Sequence, residues 1–491
     1  MRLVLCIFCL LLCLVGPLTK ASKSEEFLNI GSRLELFVDG YLIDSIEGIE
    51  LKLHSPQPAD TVLRFDKPWE GVTSGSTSVV FQDGDIYRMY YRGSSHKGYA
   101  LESLLEPGEV VISEHPHTTC YAESRDGIHW SRPSLGLFEF EGSTTNNIVW
   151  MGKGSPAFLP FRDPNPEAPA QERYKAVGPA RWKKSNGLFA FTSPDGIQWK
   201  QMQEEPILTD GAFDSPNLAF WDIVNERYVA IYRDFVNGVR TIKTSTSNDF
   251  KDWTPGKFGK FGNAPSEHLY TNATQPYFRA PHIYLAFPRR FLPWKTMGPF
   301  TEAHAGGCSD VIFMSSRDGF HWKRQLEAFI RPGREIRNWS HRSNTPGWGI
   351  LETAPDEISL FINRHYTFPS NHLERMVIRT DGFISANAPY AGGELLTKPL
   401  IFEGSSLVLN FATSAAGSIR LEIQDAEGRP LPGFSLEDSP LIWGDEIEHT
   451  VRWERSHANA TSEKPLARIA GKPIRLRFVM KDADLYSMRF K

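Results

Sequence analysis

The sequence predicts an all-β protein, a five-bladed β-propeller followed by a small antiparallel β-sandwich. Three observations point there. A seven-residue phrase, Ser-x-Asp-Gly-x-x-Trp, spans Ser124–Trp130, Ser193–Trp199 and Ser316–Trp322, with a looser copy at Ser247–Trp253 and a truncated fifth at Thr380–Phe383. Its aspartates, Asp126, Asp195, Asp249, Asp318 and Asp381, stand 69, 54, 69 and 63 residues apart, a spacing suited to one four-stranded blade per repeat. Between the copies runs an aromatic and β-branched strand, seen in Ile86–Tyr91, Arg173–Val177, Arg227–Tyr232, Ile283–Phe287 and Ile358–Ile362, most of them preceded by a turn-rich patch. From about residue 399 the phrase disappears, and period-two alternation in Ile419–Ile423 and Ile474–Phe478 predicts a separate sandwich over 399–491.

Each element follows in order. Met1-Arg2, an apolar run over Leu3–Val15 and then Thr19-Lys20-Ala21 give residues 1–21 the charged start, short apolar core and small-residue exit of a signal peptide. The expected location is therefore secreted or periplasmic, with a signal anchor as the alternative. No later apolar run reaches the roughly 18 residues needed to cross a bilayer, so no membrane partner is expected after signal removal. The propeller is expected over 30–398. Asp-Gly suits the tight turn of each phrase because Gly accepts positive φ without steric cost, and the Trp beyond it can cover the junction between blades. That makes the phrase scaffold. Leu36–Ile43 is apolar enough to add a strand that closes the ring or plugs one face.

Three of the five cysteines fall in the signal segment, leaving Cys120 and Cys308, enough for one bridge at most. A formal net charge of −4 over 491 residues without basic runs excludes nucleic acid as an expected partner. The His, Cys and Asp spacings carry no metal signature, and neither a P-loop, a dinucleotide fingerprint nor a Gly-x-Ser-x-Gly elbow is present, so no cofactor is expected.

A secreted five-bladed propeller with a C-terminal β-sandwich resembles the glycoside hydrolases that include invertases, fructanases, arabinanases and β-xylosidases. More narrowly, Leu36-Phe37-Val38-Asp39, Asp126–Trp130 and Leu431–Ser435 are similar to segments of secreted bacterial proteins described as glycosyl hydrolase-like. The resemblance implies a hydrolase of polysaccharides or oligosaccharides with a carbohydrate substrate. Of the invertase-type motifs only Arg162-Asp163-Pro164 matches by letter, in a stretch that reads as a turn between strands. The phrase also resembles the Asp box of sialidases, one residue shorter between Asp and Gly.

Glycoside cleavage ordinarily needs two carboxyl groups across the scissile bond. In a propeller they belong at or just before the first strand of a blade, where side chains reach the channel mouth. That position offers Glu70 in blade one, Asp214 in blade three and Glu267 in blade four. The expected roles are Asp214 as nucleophile or base, Glu267 as general acid and Glu70 as the partner that orients substrate. Asn147, Asn217, Arg233, Asn272, Arg337 and His341 stand at matching points and are the expected substrate-binding residues. Second strands ending in Arg92, Arg233 and Arg289-Arg290 offer guanidiniums for hydroxyls or for a uronate or sulfate on an acidic sugar. A non-catalytic glycan-binding protein on the same scaffold is the alternative. Lyase or sialidase chemistry would instead need a tyrosine or histidine at the channel, and Tyr270 or His341 holds that place.

Overall fold

The computed structural model describes residues 27–96, 114–297, 306–453 and 465–491. The expected signal peptide, 1–21, lies outside them. Five antiparallel sheets form the propeller blades and a sixth, ten-stranded sheet gathers both ends of the chain. Blade one comprises Ser78–Asp83, Ile86–Ser95, His115–Ser124 and Ile148–Met151, and blade two Leu159–Arg162, Tyr174–Trp182, Ser185–Ser193 and Lys200–Gln201. Blade three comprises Leu218–Asp222, Arg227–Val236, Val239–Ser247 and Lys257–Phe258.

Blade four is broken into six short pieces. Its entry strand is His268–Thr271 followed by Gln275–Tyr277, its second is Ala280–Ala286 followed by Arg289–Leu292, and Cys308–Ser316 and Trp322–Ile330 complete it. In blade five Thr345–Pro346 and Leu351–Ala354 both pair with Glu357–Arg364, which pairs with His372–Arg379.

Ring closure is made by a strand the sequence did not single out. Gln57–Arg64 adds antiparallel to His372–Arg379, with His372 opposite Arg64 and Val377 opposite Gln57, so the start of the propeller supplies the outer strand of its last blade. Closure of this kind leaves no open sheet edge between first and last blades. Leu36–Ile43 does not perform it: Glu35–Leu36 and Ile43–Glu47 pair with Ile474–Phe490 and Gly393–Thr397 of the ten-stranded sheet. That sheet also takes Leu28–Gly31, Glu50–Leu53 and Ile384–Ala388. By strand pairing, residues 28–53 and 384–397 therefore stand with the C-terminal unit, although the sequence pattern placed 30–53 and 384–397 in the propeller.

The C-terminal sheet is held by two long strands, Leu407–Asp425 and Ile474–Phe490, whose pairing shifts between Thr413 and Ser418. Leu407, Leu409 and Phe411 before the shift and Ile419, Leu421 and Ile423 after it share one apolar core. The sheet thus folds on itself around that core, as period-two burial requires.

The repeated phrase is a turn. In Ser193–Trp199 the serine Oγ accepts the Gly196 N–H at 2.9 Å, the Asp195 Oδ1 accepts the N–H groups of Ile197 and Gln198 at 2.8 Å each, and Trp199 Nε1 donates to the Gly196 carbonyl at 2.9 Å. Asp126, Asp249 and Asp318 make the same bonds. These aspartates are spent on backbone N–H groups, which explains their recurrence without any chemistry. The phrase does not always open a fourth strand: in blade one that strand begins at Ile148, eighteen residues beyond Trp130, and in blade five it comes from the N-terminal side.

A buried carboxylate, Glu35, ties the units together. Glu35, fully buried, faces Arg33 Nε at 2.6 Å, Arg317 Nη1 of blade four at 3.0 Å and His282 Nε2 at 3.2 Å. Burial pushes its carboxyl pKa up, but His282, Arg317 and Arg33 outweigh burial and bring it down to about 2. A carboxyl whose folded pKa lies below its unfolded one stabilises the fold fully above the unfolded value, and that share is lost as pH falls through the folded value. Acid titration from pH 5 to 2 is expected to cost roughly 3 kcal/mol through this group, and Glu35→Gln should flatten that limb of a urea-midpoint against pH plot. An unchanged acid limb in the variant would show that Glu35 is not the group responsible.

Candidate functional site

One pocket is lined from all five blades. Blade one contributes Ser76, Thr77 and Arg92, and Pro156 comes from the turn entering blade two. Asp214, Ser215 and Pro216 precede blade three, Tyr270, Thr271 and Arg289 belong to blade four, and Arg342 and Tyr366 flank strands of blade five. Residues so distant in sequence meet only where the entry strands converge, at the mouth of the propeller channel. The free space there is small, about 70 Å³.

Arginines dominate the wall. Arg92 Nη2 donates to the Thr73 carbonyl at 2.8 Å and to the Tyr366 hydroxyl at 3.0 Å. Arg289 is buried, donates to the Arg342 carbonyl at 3.0 Å and lies 4.2 Å from the Tyr270 ring centre. Arg240 and Arg233 stand 4.6 and 5.3 Å from the same ring. Burial drives the Tyr270 hydroxyl up, but Arg289, Arg342, Arg233 and Arg240 outweigh it and hold the phenol below its ordinary pKa. Tyr366 is likewise lowered, by Arg92 and Arg342 against complete burial. Burial and the neighbouring Arg240 press Arg233 down to about 10, and burial with Arg342 and Arg240 does the same to Arg289.

Asp214 is the one carboxylate of the pocket wall among the described residues. Its side chain is exposed, on a turn whose flanking Phe213 and Ser215 are buried, and it is ion-paired to the buried Arg233. The turn is shaped by Asn217, whose Nδ2 donates to the Ser215 carbonyl at 2.6 Å.

Of the three expected acids, Asp214 alone reaches the channel. Glu70 is fully buried inside blade one: its Oε1 accepts the Tyr91 hydroxyl at 2.6 Å and faces Arg132 Nε at 3.3 Å, and its Oε2 accepts the Lys67 N–H at 3.1 Å. Burial raises its pKa despite Arg132. Glu267 lies outside the pocket wall, paired to Arg324 and standing 3.5 Å from Arg290 Nη1. Position before an entry strand did not distinguish a side chain aimed at the axis from one aimed into the blade.

The expected binding residues divide similarly. Arg233 joins the pocket through Asp214 and Tyr270, and His341 stacks on Phe291 at 4.6 Å with its ring 6.3 Å from Tyr270. Asn147 is a scaffold residue, donating to the Tyr91 hydroxyl and Tyr121 carbonyl at 2.8 and 2.6 Å. Asn217 and Asn272 support local backbone, and Arg337 reaches Ser370 at 3.2 Å, away from the pocket wall. The invertase-like Asp163 is buried between Lys175 Nζ at 2.6 Å and the Tyr228 hydroxyl at 2.7 Å, a structural pair outside the axial wall. Cys120 and Cys308 are both free thiols. Arg342, which follows His341 in the blade-five Arg/His cluster that the sequence places at the channel, lines the wall, whereas Tyr366 was missed, at the end of a blade-five strand where the truncated repeat gave the weakest register.

No family model matches the chain. Among curated proteins it is similar to a levanase from Bacillus sp. (strain L7), 24% identical over 266 residues, which are 47% of this chain and 26% of the levanase. An uncharacterised protein of Mycobacterium tuberculosis is 26% identical over 155 residues, 31% of this chain and 40% of that protein. The chain thus spans between about a quarter and two fifths of the length of these curated relatives. A solved glycoside hydrolase aligns with 66% of this chain and 92% of its own at a TM-score of 0.46 and 13% identity.

Proposed function

We propose that this chain is a glycosidase-type enzyme that holds its saccharide at the axial pocket, with Asp214 as the acid–base group and Tyr270 as the nucleophile. The observation that carries the reading is the meeting, at one five-blade opening, of a projecting carboxylate with a phenol surrounded by guanidiniums. Glycoside cleavage by a pair of carboxylates is not supported by the positions of Glu70 and Glu267. A tyrosine nucleophile is a known departure from the two-carboxylate scheme, provided that its hydroxyl is activated. The cations that lower the Tyr270 hydroxyl supply the activation a free phenol lacks. Similarity to a levanase over 266 residues supports a glycan-cleaving role. The charged and apolar start of the chain supports action outside the cytoplasm.

The ion pair of Asp214 with Arg233 favours a second reading, a glycan-binding protein that does not cleave. One experiment separates the two. Full-length protein is screened for reducing-end release over a panel of polysaccharides, in parallel with Asp214→Asn. Release by the native chain, reduced about 10²- to 10³-fold in the variant with unchanged circular dichroism, is the expected result. Equal turnover in the variant removes Asp214 from the mechanism, and saturable binding without release supports the second reading.

A further inference from the structure

The axial pocket contains more positive charge than its own carboxylate can offset. Arg92, Arg289 and Arg342 line it, Arg233 and Arg240 stand behind Tyr270, and Asp214 is the single acid of the wall among the described residues. Arg233 already consumes that acid. Buried guanidinium groups are normally paired. Here the Nε atoms of Arg92 and Arg289, and both Nε and Nη1 of Arg233, have no hydrogen-bond acceptor among the described residues.

We infer that the pocket is built for an oxyanion carried on the saccharide, a uronate carboxylate or a sulfate ester, held by Arg92, Arg289 and Arg342. The inference rests on the proposed saccharide site and names the class of sugar it takes. The free space, about 70 Å³, gives room for several ordered waters and so for the oxygens of one anionic group at the depth of the guanidiniums. The ring then lies toward the mouth, beside Asp214, the pocket's exposed residue. Thr77 and Thr271, buried at the wall, add hydroxyls at the same depth, and the Thr271 Oγ1 has no partner among the described residues. A neutral sugar would leave the Nε donors of Arg92 and Arg289 unmet, so discrimination comes from those donors as much as from attraction.

The test is calorimetric binding to the full chain, which requires no turnover. The probes are glucuronate, galacturonate and glucose 6-sulfate, their neutral counterparts glucose and galactose, and inorganic sulfate and phosphate. Anionic sugars are expected to bind about tenfold or more tightly than the neutral ones, with the difference shrinking in Arg342→Gln and in Arg92→Lys, which keeps the charge but loses the planar fork. Circular dichroism confirms folding of both variants, and if one is unfolded the other decides. Uronate against sulfate ester identifies the anion. Equal binding of charged and neutral sugars overturns the inference, and so does inorganic sulfate or phosphate binding as tightly as the charged sugars, since the site would then hold a free oxyanion. Preferential binding of anionic sugars without cleavage of any anionic glycan leaves this inference standing and removes the enzymatic reading.

Discussion

Tyr270→Phe is expected to lower kcat by about 10⁴-fold or more, the scale seen when a covalent nucleophile is deleted, while leaving the fold intact. The ring stays, so its contacts with Arg289, Arg240 and Arg233 at 4.2, 4.6 and 5.3 Å are kept, and only the hydroxyl goes. The pH profile gives a readout that packing loss cannot imitate. Because the guanidiniums hold the Tyr270 hydroxyl below its ordinary pKa against burial, the reactive phenolate grows as pH rises through that lowered value. The rate of the native enzyme should therefore climb as pH rises, with a midpoint below that of an ordinary phenol. Removing a cation from behind the ring with Arg240→Gln should raise the phenol pKa and move that limb to higher pH. A Tyr270→Phe enzyme with native kcat, or an Arg240→Gln profile that does not move, would return the nucleophile's role to another group.

Repetition made the propeller legible from sequence, because the turn phrase is built of local bonds: a serine, an aspartate and a glycine satisfy each other's backbone within seven residues. Local chemistry of that kind leaves a pattern in the sequence. Ring closure does not, since Gln57–Arg64 pairs with a strand about 310 residues away and its own residues alternate no more clearly than a loop's. The pocket was partly legible. Arg92, Arg233 and Arg289 stood out at the ends of second strands, and Tyr270 stood beside His341 as a place for a channel tyrosine or histidine. Glu70 and Glu267 stood at the expected sequence position, but direction at an entry strand depends on a single residue of register. Tyr91 and Arg132 draw Glu70 inward, and Arg324 draws Glu267 aside.

The fifth copy of the turn phrase lost its serine and tryptophan, and its aspartate took another task. Asp381→Ala is expected to destabilise the protein by about 3–5 kcal/mol, as breaking a buried, hydrogen-bonded ion pair does. Asp381 is fully buried between the units. Its Oδ1 accepts the Tyr277 hydroxyl at 2.5 Å and the Arg279 Nε at 3.0 Å from blade four, and its Oδ2 accepts the Ser487 hydroxyl at 2.8 Å and the Asn410 Nδ2 at 3.3 Å from the C-terminal sheet. Alanine would take this acceptor from the Tyr277 and Ser487 hydroxyls and from the Arg279 guanidinium, with a desolvation cost for each, while Asn410 Nδ2 keeps the Thr380 carbonyl at 2.8 Å. Asp381→Asn keeps the shape but turns an amine toward donors on one side, so it should recover only part of the loss. Guanidinium-chloride midpoints of the two variants measure this, and glycan cleavage below the transition should stay native because no atom of the network reaches the axial wall. A loss under about 1 kcal/mol would instead assign the docking of sheet to propeller to apolar packing, in which Phe383 lies 5.5 Å from Phe313 and 6.1 Å from Phe287, ring centre to ring centre.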